Sequence, residues 1–245
     1  MTDFSGRVAL VTGASGGIGR ALADRLAGAG ASVGVHYGRS ADAAHQIAAQ
    51  IGSRGGRAAA VQADLADPGA PEQLVDAVER ELGAVDILVA NHGRSRPRSS
   101  LKEVTAEEWD QTLAVNARAP FLLARRVLPG MRDRRFGRIM FTSSVAGLTG
   151  GVVGPDYAAS KAALHGLTHY LAARVAADGV TVNAPAPALI ENTGMLPGDP
   201  GDLAKMIPVG RLGTPAEVAD LALAVLANGY VTSHVIPIDG GMHAS

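Results

Sequence analysis

The chain of 245 residues has no cysteine, so it forms no disulfide and offers no thiolate to a metal. It has no unbroken apolar run long enough to cross a bilayer, although 47% of its residues are hydrophobic. Those residues are expected to fill a core instead. Residues 1–6 are polar and carry no signal-peptide apolar segment, so the expected setting is the cytoplasm, without a membrane partner. An excess of basic charge is absent too. Lys and Arg number 22 against 23 Asp and Glu, which argues against binding nucleic acid through its phosphates. No short repeat and no linker divides the chain, so residues 1–245 are read as one domain.

What is present is alternation. Short apolar runs at 7–12, 32–36, 58–62, 85–90, 138–142, 180–184 and 234–238 suit buried strands. Helical patterns fill 20–29, 41–51, 71–82, 107–134, 157–177 and 215–227, the last opened by Thr214 and Pro215. Strands alternating with helices predict an α/β fold: a doubly wound parallel sheet of about seven strands, of the Rossmann type, with helices on both faces. Ligands in such sheets sit beyond the carboxyl ends of the strands. Gly13, Asn91, Ser144 and Pro187 each fall just past a proposed strand end.

Gly13-Ala14-Ser15-Gly16-Gly17-Ile18-Gly19 lies between the first strand and the first helix. Gly13 permits a tight turn, Gly17 lets backbone approach a pyrophosphate, and Gly19 lets the helix lie close to the strand. Amides at the helix N-terminus then face the phosphates. No Gly-Lys-Ser/Thr follows, so the turn is not a P-loop.

Tyr157 and Lys161 are four apart in a helical run, so they share a face. A free phenol ionises near pKa ~10, and a neighbouring ammonium is expected to lower that value. The pair is a candidate proton donor and acceptor. Ser143 and Ser144 compete for the place beside it.

The stretches Thr12-Gly13…Gly17-Ile18-Gly19, Asp64, Asn91…Gly93, Asn116, Ser144, Tyr157…Lys161, Val182-Asn183…Pro187, Gly210-Arg211…Gly213…Pro215…Glu217 and Asp239-Gly240-Gly241 run nearly end to end. Together they resemble the short-chain dehydrogenase/reductase family, most nearly its 3-oxoacyl-carrier-protein reductases. The resemblance implies an oxidoreductase interconverting a carbonyl and a secondary alcohol with a nicotinamide cofactor. It implies that Tyr157 moves the proton and Ser144, favoured over Ser143 by the family's spacing, holds the substrate oxygen. Lys161 would lower the Tyr157 pKa and bind ribose, and Asn116 would anchor a relay water. The implied cofactor contacts are Gly13, Ser15, Gly17, Ile18, Gly19, Tyr37, Arg39, Asp64, Leu65, Asn91, Gly93, Tyr157, Lys161, Pro187, Ile190 and Thr193, with no metal. A homotetramer is implied as well.

The place where a carboxylate would read the ribose hydroxyls of NAD holds Tyr37, and Arg39 follows. An arginine suits a 2′-phosphate, so NADP is preferred to NAD. Gly16 stands where NADP-using relatives often carry a basic residue. Other departures bear on the substrate. The family's Asn-Asn-Ala-Gly is Ala90-Asn91-His92-Gly93 here, and its Pro-Gly is Pro187-Ala188. Asn192 competes with Thr193 for the carboxamide. Asp178 would repel an acidic acyl carrier, while Arg132, Arg134, Arg135 and Arg138 offer a docking patch. Arg94, Arg96 and Arg98 sit at the expected mouth, suited to an anionic substrate or the cofactor phosphate. His165 and His169 share a helix face without a third metal ligand. Residues 189–212, with Met195, Leu196, Met206 and Ile207, read as a lid over an apolar carbonyl substrate, an acyl thioester among the options. The alternatives are an NAD-dependent dehydrogenase of a small, sugar-like or steroid-like alcohol, and a catalytically silent cofactor-binding sensor or scaffold.

Overall fold

The computed structural model describes residues 2–98, 100–194, 196 and 199–243. The seven apolar runs form β1 (Val8–Val11), β2 (Ser32–Tyr37), β3 (Ala58–Gln62), β4 (Ile87–Ala90), β5 (Gly137–Phe141), β6 (Val180–Pro187) and β7 (His234–Ile238). They build one sheet in the order β3-β2-β1-β4-β5-β6-β7, with every pairing parallel. The order reverses between β1 and β4, where a crevice opens at the carboxyl ends.

Each face of the sheet is covered. The helices are α1 (Gly17–Gly28), α2 (Ala41–Ser53), α3 (Ala70–Leu82), α4 (Ala106–Leu113), α5 (Ala119–Asp133), α6 (Ala146–Thr149), α7 (Pro155–Val175), α8 (Pro200–Ala204) and α9 (Pro215–Ala227). Leu10, Leu88, Ile139 and Val182 face α3, α5 and α7, while Val11, Val33, Val89 and Met140 face α1, α2 and α9. Alternate residues of one strand thus serve two cores, which is why the strands read as continuous apolar runs. No helix among the described residues is long and apolar enough to cross a membrane.

Two local features depart from the periodic reading. β6 runs on through Pro185 and Pro187 rather than stopping at residue 184. Proline disfavours an interior strand because it lacks an N–H donor. Here the proline carbonyls do the pairing: Pro185 O accepts from Ser143 N (2.8 Å) and Pro187 O from Val145 N (3.1 Å). The stretch 107–134 is also not regular helix. A π-turn, Ala114–Arg118, separates α4 from α5. Pro120 supplies the cause, since its ring would meet the Asn116 carbonyl four residues back in an α-helix.

Candidate active site

The glycine turn leaves β1 with Gly13 at φ 63°, a conformation glycine adopts freely. A Cβ at Gly19 would strike the Gly13 carbonyl and lie 2.8 Å from Ala14 Cα, so only glycine lets α1 begin this close to β1. A Cβ at Gly17 would strike the Asn192 carbonyl on the strap after β6. The first turn of α1 holds no acid, and its leading amides have no intrahelical partners.

A cavity of about 1000 Å³ begins at this turn and runs across the strand ends. Gly13, Ser15, Gly17, Ile18 and Gly19 line one end, with Arg39, Asp64 and Leu65 beside them. Asn91, Gly93, Ser144, Tyr157 and Lys161 line the other, with Pro187, Ile190 and Thr193. Asn192 is not in the wall. Tyr37 is not either: strand alternation turns its ring onto α2, 6.0 Å from the His45 ring. Arg39 is exposed, and its side chain has no hydrogen-bond or ion-pair partner among the described residues.

The two serines part company. Ser143 Oγ bonds the Lys161 carbonyl (3.1 Å) and His165 Nε2 (2.7 Å), so it is committed to packing β5 against α7. Ser144 Oγ accepts from Ala146 N (3.2 Å) and faces the Tyr157 phenol. The Pro185 and Pro187 carbonyls grip the backbone on either side of Ser144. Lys161, 3% exposed, donates to the Thr142 carbonyl (2.7 Å), and its Nζ lies 5.7 Å from the Tyr157 ring centre.

Asn116 lies behind the wall, fully buried. A Cβ at Gly93 would be 3.6 Å from Asn116 Oδ1 and 3.5 Å from Lys161 Nζ, so these groups meet across Gly93. The Asn116 amide is already spent. Oδ1 accepts from Arg94 N (2.7 Å), while Nδ2 donates to Arg94 O (2.9 Å) and Ser160 Oγ (3.0 Å).

Electrostatics at the pair differ from the sequence expectation. Burial pushes the Tyr157 phenol up, and the hydrogen bond from Ser144 works the other way. Burial also brings the Lys161 ammonium down to about 8. In the protein by itself, burial outweighs the attraction between ammonium and phenolate.

Comparison with known proteins decides the family. Residues 7–200 match the family described as short chain dehydrogenase. The chain is 39% identical to the 3-oxoacyl-[acyl-carrier-protein] reductase FabG of Escherichia coli (strain K12), over 98% of this chain and 99% of that protein. The chain belongs to the short-chain dehydrogenases. A solved relative is the blue fluorescent protein from a metagenomic library in complex with NADPH, with TM-score 0.90 and 37% identity, covering 99% of this chain and 100% of that one. Another is the angucycline C-6 ketoreductase LanV with bound NADP, with TM-score 0.90 and 35% identity, covering 98% and 96%. This short-chain dehydrogenase is an NAD(P)-dependent oxidoreductase of the carbonyl–alcohol couple.

Within this dehydrogenase, sequence reasoning passed over two histidines of the cavity wall. His36, at the end of β2, accepts from Gly13 N (3.0 Å) at Nδ1 and donates to Ala63 O (3.2 Å) from Nε2. It thereby holds the glycine turn, and burial brings its pKa down to about 4, so it stays neutral. The second is His92, whose ring stands edge-on to His36 at 6.3 Å. The histidine in place of the family's alanine was the available signal. The other histidine pair is structural: His165 bonds Ser143, and His169 bonds Ser233 Oγ (3.1 Å). No group of three metal-ligating side chains gathers among the described residues.

The arginines also sort themselves. Arg96 and Arg98 pair with Glu108, while Arg94 lines the cavity. Arg132 pairs with Asp178 (2.7 Å) and Arg134 with Asp86 (3.0 Å). Arg135 donates to the Ala177 carbonyl and Arg138 to the Leu226 carbonyl. The docking patch that the sequence left open is therefore largely neutralised or tied to backbone.

Proposed function

We propose that the enzyme reduces an apolar ketone, of the 3-oxoacyl type or similar, with NADPH. The observation that carries this reading is the convergence of Ser144, Tyr157 and Lys161 on the far end of the cavity that starts at the glycine turn. The donor set suits a dinucleotide. Amides at the start of α1 would receive a pyrophosphate, and Gly17 and Gly19 hold that turn in place because any Cβ there would strike the Asn192 or Gly13 carbonyl. Asp64 and Leu65 would line the adenosine side, and Asn91, Gly93, Pro187, Ile190 and Thr193 the nicotinamide side. The bound cofactor would supply the hydride.

The chain's own residues supply orientation and the proton. The Ser144 hydroxyl donates to the substrate oxygen and holds it beside Tyr157. Tyr157, kept protonated by burial, delivers a proton to that oxygen. Among the described residues Lys161 has one acceptor, the Thr142 carbonyl, and its other N–H donors would hold the ribose. Asn116 acts through its backbone, because its amide is occupied. Pro120 cannot give the Asn116 carbonyl the usual helical donor, so a water there links Lys161 to solvent.

Residues 189–212 are read as the lid. Leu203, Ile207 and Leu212 pack with Leu189, Leu196 and Met242, and those last three line the cavity. Met206 stays half exposed, and Met195 lies outside the described residues. The pairing of Arg132 with Asp178 leaves little on that surface for an acidic carrier, so a free carbonyl compound is favoured over a carrier-bound thioester. The cytoplasm remains the expected setting.

Arg39 is the proposed reader of the 2′-phosphate, being exposed, unpaired and in the cavity wall. Arg39→Ala is expected to weaken NADPH about tenfold or more and leave NADH nearly unchanged. Fluorescence titration of both cofactors checks this, followed by a screen of carbonyl compounds. Equal losses for the two cofactors would remove Arg39 from that role, and no turnover of any carbonyl would favour the silent sensor.

A homotetramer is proposed from the outer faces of α5 and α7. Phe121 and Tyr170 are 44% and 57% exposed, and a groove of about 470 Å³ lies between Phe121, Leu128 and Leu171. Light scattering is expected to give four copies; a stable monomer at micromolar concentration rejects it.

A further inference from the structure

His92 follows Asn91 past the end of β4, and its ring is buried. Its Nε2 lies 2.9 Å from the Val115 carbonyl. A carbonyl only accepts, so Nε2 carries the proton. Nδ1 of the neutral ring is then an acceptor, and Thr12 Oγ1, 2.7 Å away, donates to it in preference to the Val89 carbonyl at 3.3 Å. The lone pairs of Thr12 Oγ1 are left for the Asn91 and His92 amides, at 3.0 and 3.2 Å. Every polar atom of the ring is matched, and only one tautomer matches them all.

The acceptor is unusual. Val115 belongs to the π-turn, where Ala119 N–H bonds the Ala114 carbonyl. That uses the donor four residues after Val115. The residue five after it is Pro120, which has no N–H. The Val115 carbonyl thus lacks both main-chain donors that a helix would offer, and a buried carbonyl without a partner is costly. His92 provides the missing donor. The next residue is Asn116, whose side chain grips Arg94 and Ser160.

We propose that His92 is a positioning residue: its Nε2–H holds the carbonyl that Pro120 leaves open and so fixes the π-turn that presents Asn116 to Lys161. Its catalytic consequence rests on the relay reading of Asn116 given above. Three elements meet at the ring, the end of β1 through Thr12, the end of β4 through His92 itself, and the π-turn through Val115.

The test has two parts. Nitrogen-15 NMR of the wild-type enzyme reads the ring directly. A protonated Nε2 with an unprotonated Nδ1 is expected, and the opposite tautomer overturns the proposal whatever the kinetics show. Kinetics of His92→Leu, His92→Gln, Asn116→Ala and the doubles then read the consequence. His92→Leu is expected to lower kcat about 10- to 100-fold with little change in the KM for NADPH, as displaced catalytic groups do. His92→Gln, which keeps an amide donor, is expected to recover part of that loss. In the Asn116→Ala background the His92→Leu loss is expected to shrink several-fold, because both act through one element. A folded His92→Leu enzyme with unchanged kcat, or an undiminished loss in the Asn116→Ala background, overturns the positioning role. An Asn116→Ala enzyme with normal kcat, alongside the expected tautomer, shows the side-chain grip on Arg94 and Ser160 to be dispensable and overturns the account in which both residues act by holding one element.

Discussion

Tyr157→Phe is expected to remove nearly all turnover, a loss of about 10² to 10⁴-fold, while cofactor affinity stays close to that of the parent. The phenol is the titratable group that faces Ser144 on the cavity wall. Burial keeps it protonated at neutral pH, as a proton donor must be. Phenylalanine keeps the ring that packs beside Lys161 but has no proton to give. Loss of kcat with an unchanged NADPH titration is the expected signature. Robust steady-state turnover by the purified variant would mean that another group delivers the proton.

Lys161→Met is expected to lower turnover and displace the oxidative pH limb upward. Oxidation requires the phenolate, so its rate rises as Tyr157 loses its proton. A charged Lys161 at 5.7 Å from the ring favours the phenolate, and removing it moves the limb to higher pH. The sign of the window follows from burial. Lys161 itself loses its charge as the pH rises through about 8 in the free protein. Parent and variant should therefore differ most below that pH and converge above it. Initial rates of alcohol oxidation at saturating cofactor, with a substrate whose chemical step limits the rate, measure the limb. A limb that does not move would leave Lys161 only the task of holding the ribose.

Lys161 also exerts a stability effect of its own. Its folded pKa lies below the ordinary 10.5, so between about 8 and 10.5 the unfolded chain binds the proton that the folded chain has released. Stability of the parent then rises with pH across that window. The variant lacks this rise, which a denaturant titration at several pH values separates from the kinetic effect.

Much of the architecture is legible in the chain because it is local. Seven apolar runs separated by helical spacing require a parallel sheet covered on both faces, and each run did become a strand. Gly13 and Gly19 announce a tight strand-to-helix turn, since no side chain fits there. Tyr157 and Lys161 share a face because helical geometry puts residues four apart together. The Thr214 cap, Pro215 and Glu217 mark the start of α9 with a capping box.

What stayed hidden depends on contacts between distant segments. Proline argues against a strand by its own chemistry, yet Pro185 and Pro187 extend β6 because β7 pairs alongside them and Ser143 and Val145, past the end of β5, bring donors to their carbonyls. Ser143 and Ser144 are alike in sequence; His165, on another element, engages the first and leaves the second facing Tyr157. Tyr37 and Arg39 are two residues apart, but β2 ends at Tyr37, whose ring packs on α2, and the chain that turns away beyond it brings Arg39 to the cavity. The pKa order of Tyr157 and Lys161 needs the depth of burial, which composition does not contain. The chain by itself determined the elements, the turn and the residue types of the site, since these follow from periodicity and local sterics. Tertiary structure decided which hydroxyl, which charge and which histidine face the cavity, because these are settled by contacts between separate elements: Ser143 with His165 22 residues away, Thr12 with His92 80 away, and Arg96 and Arg98 with Glu108 on α4.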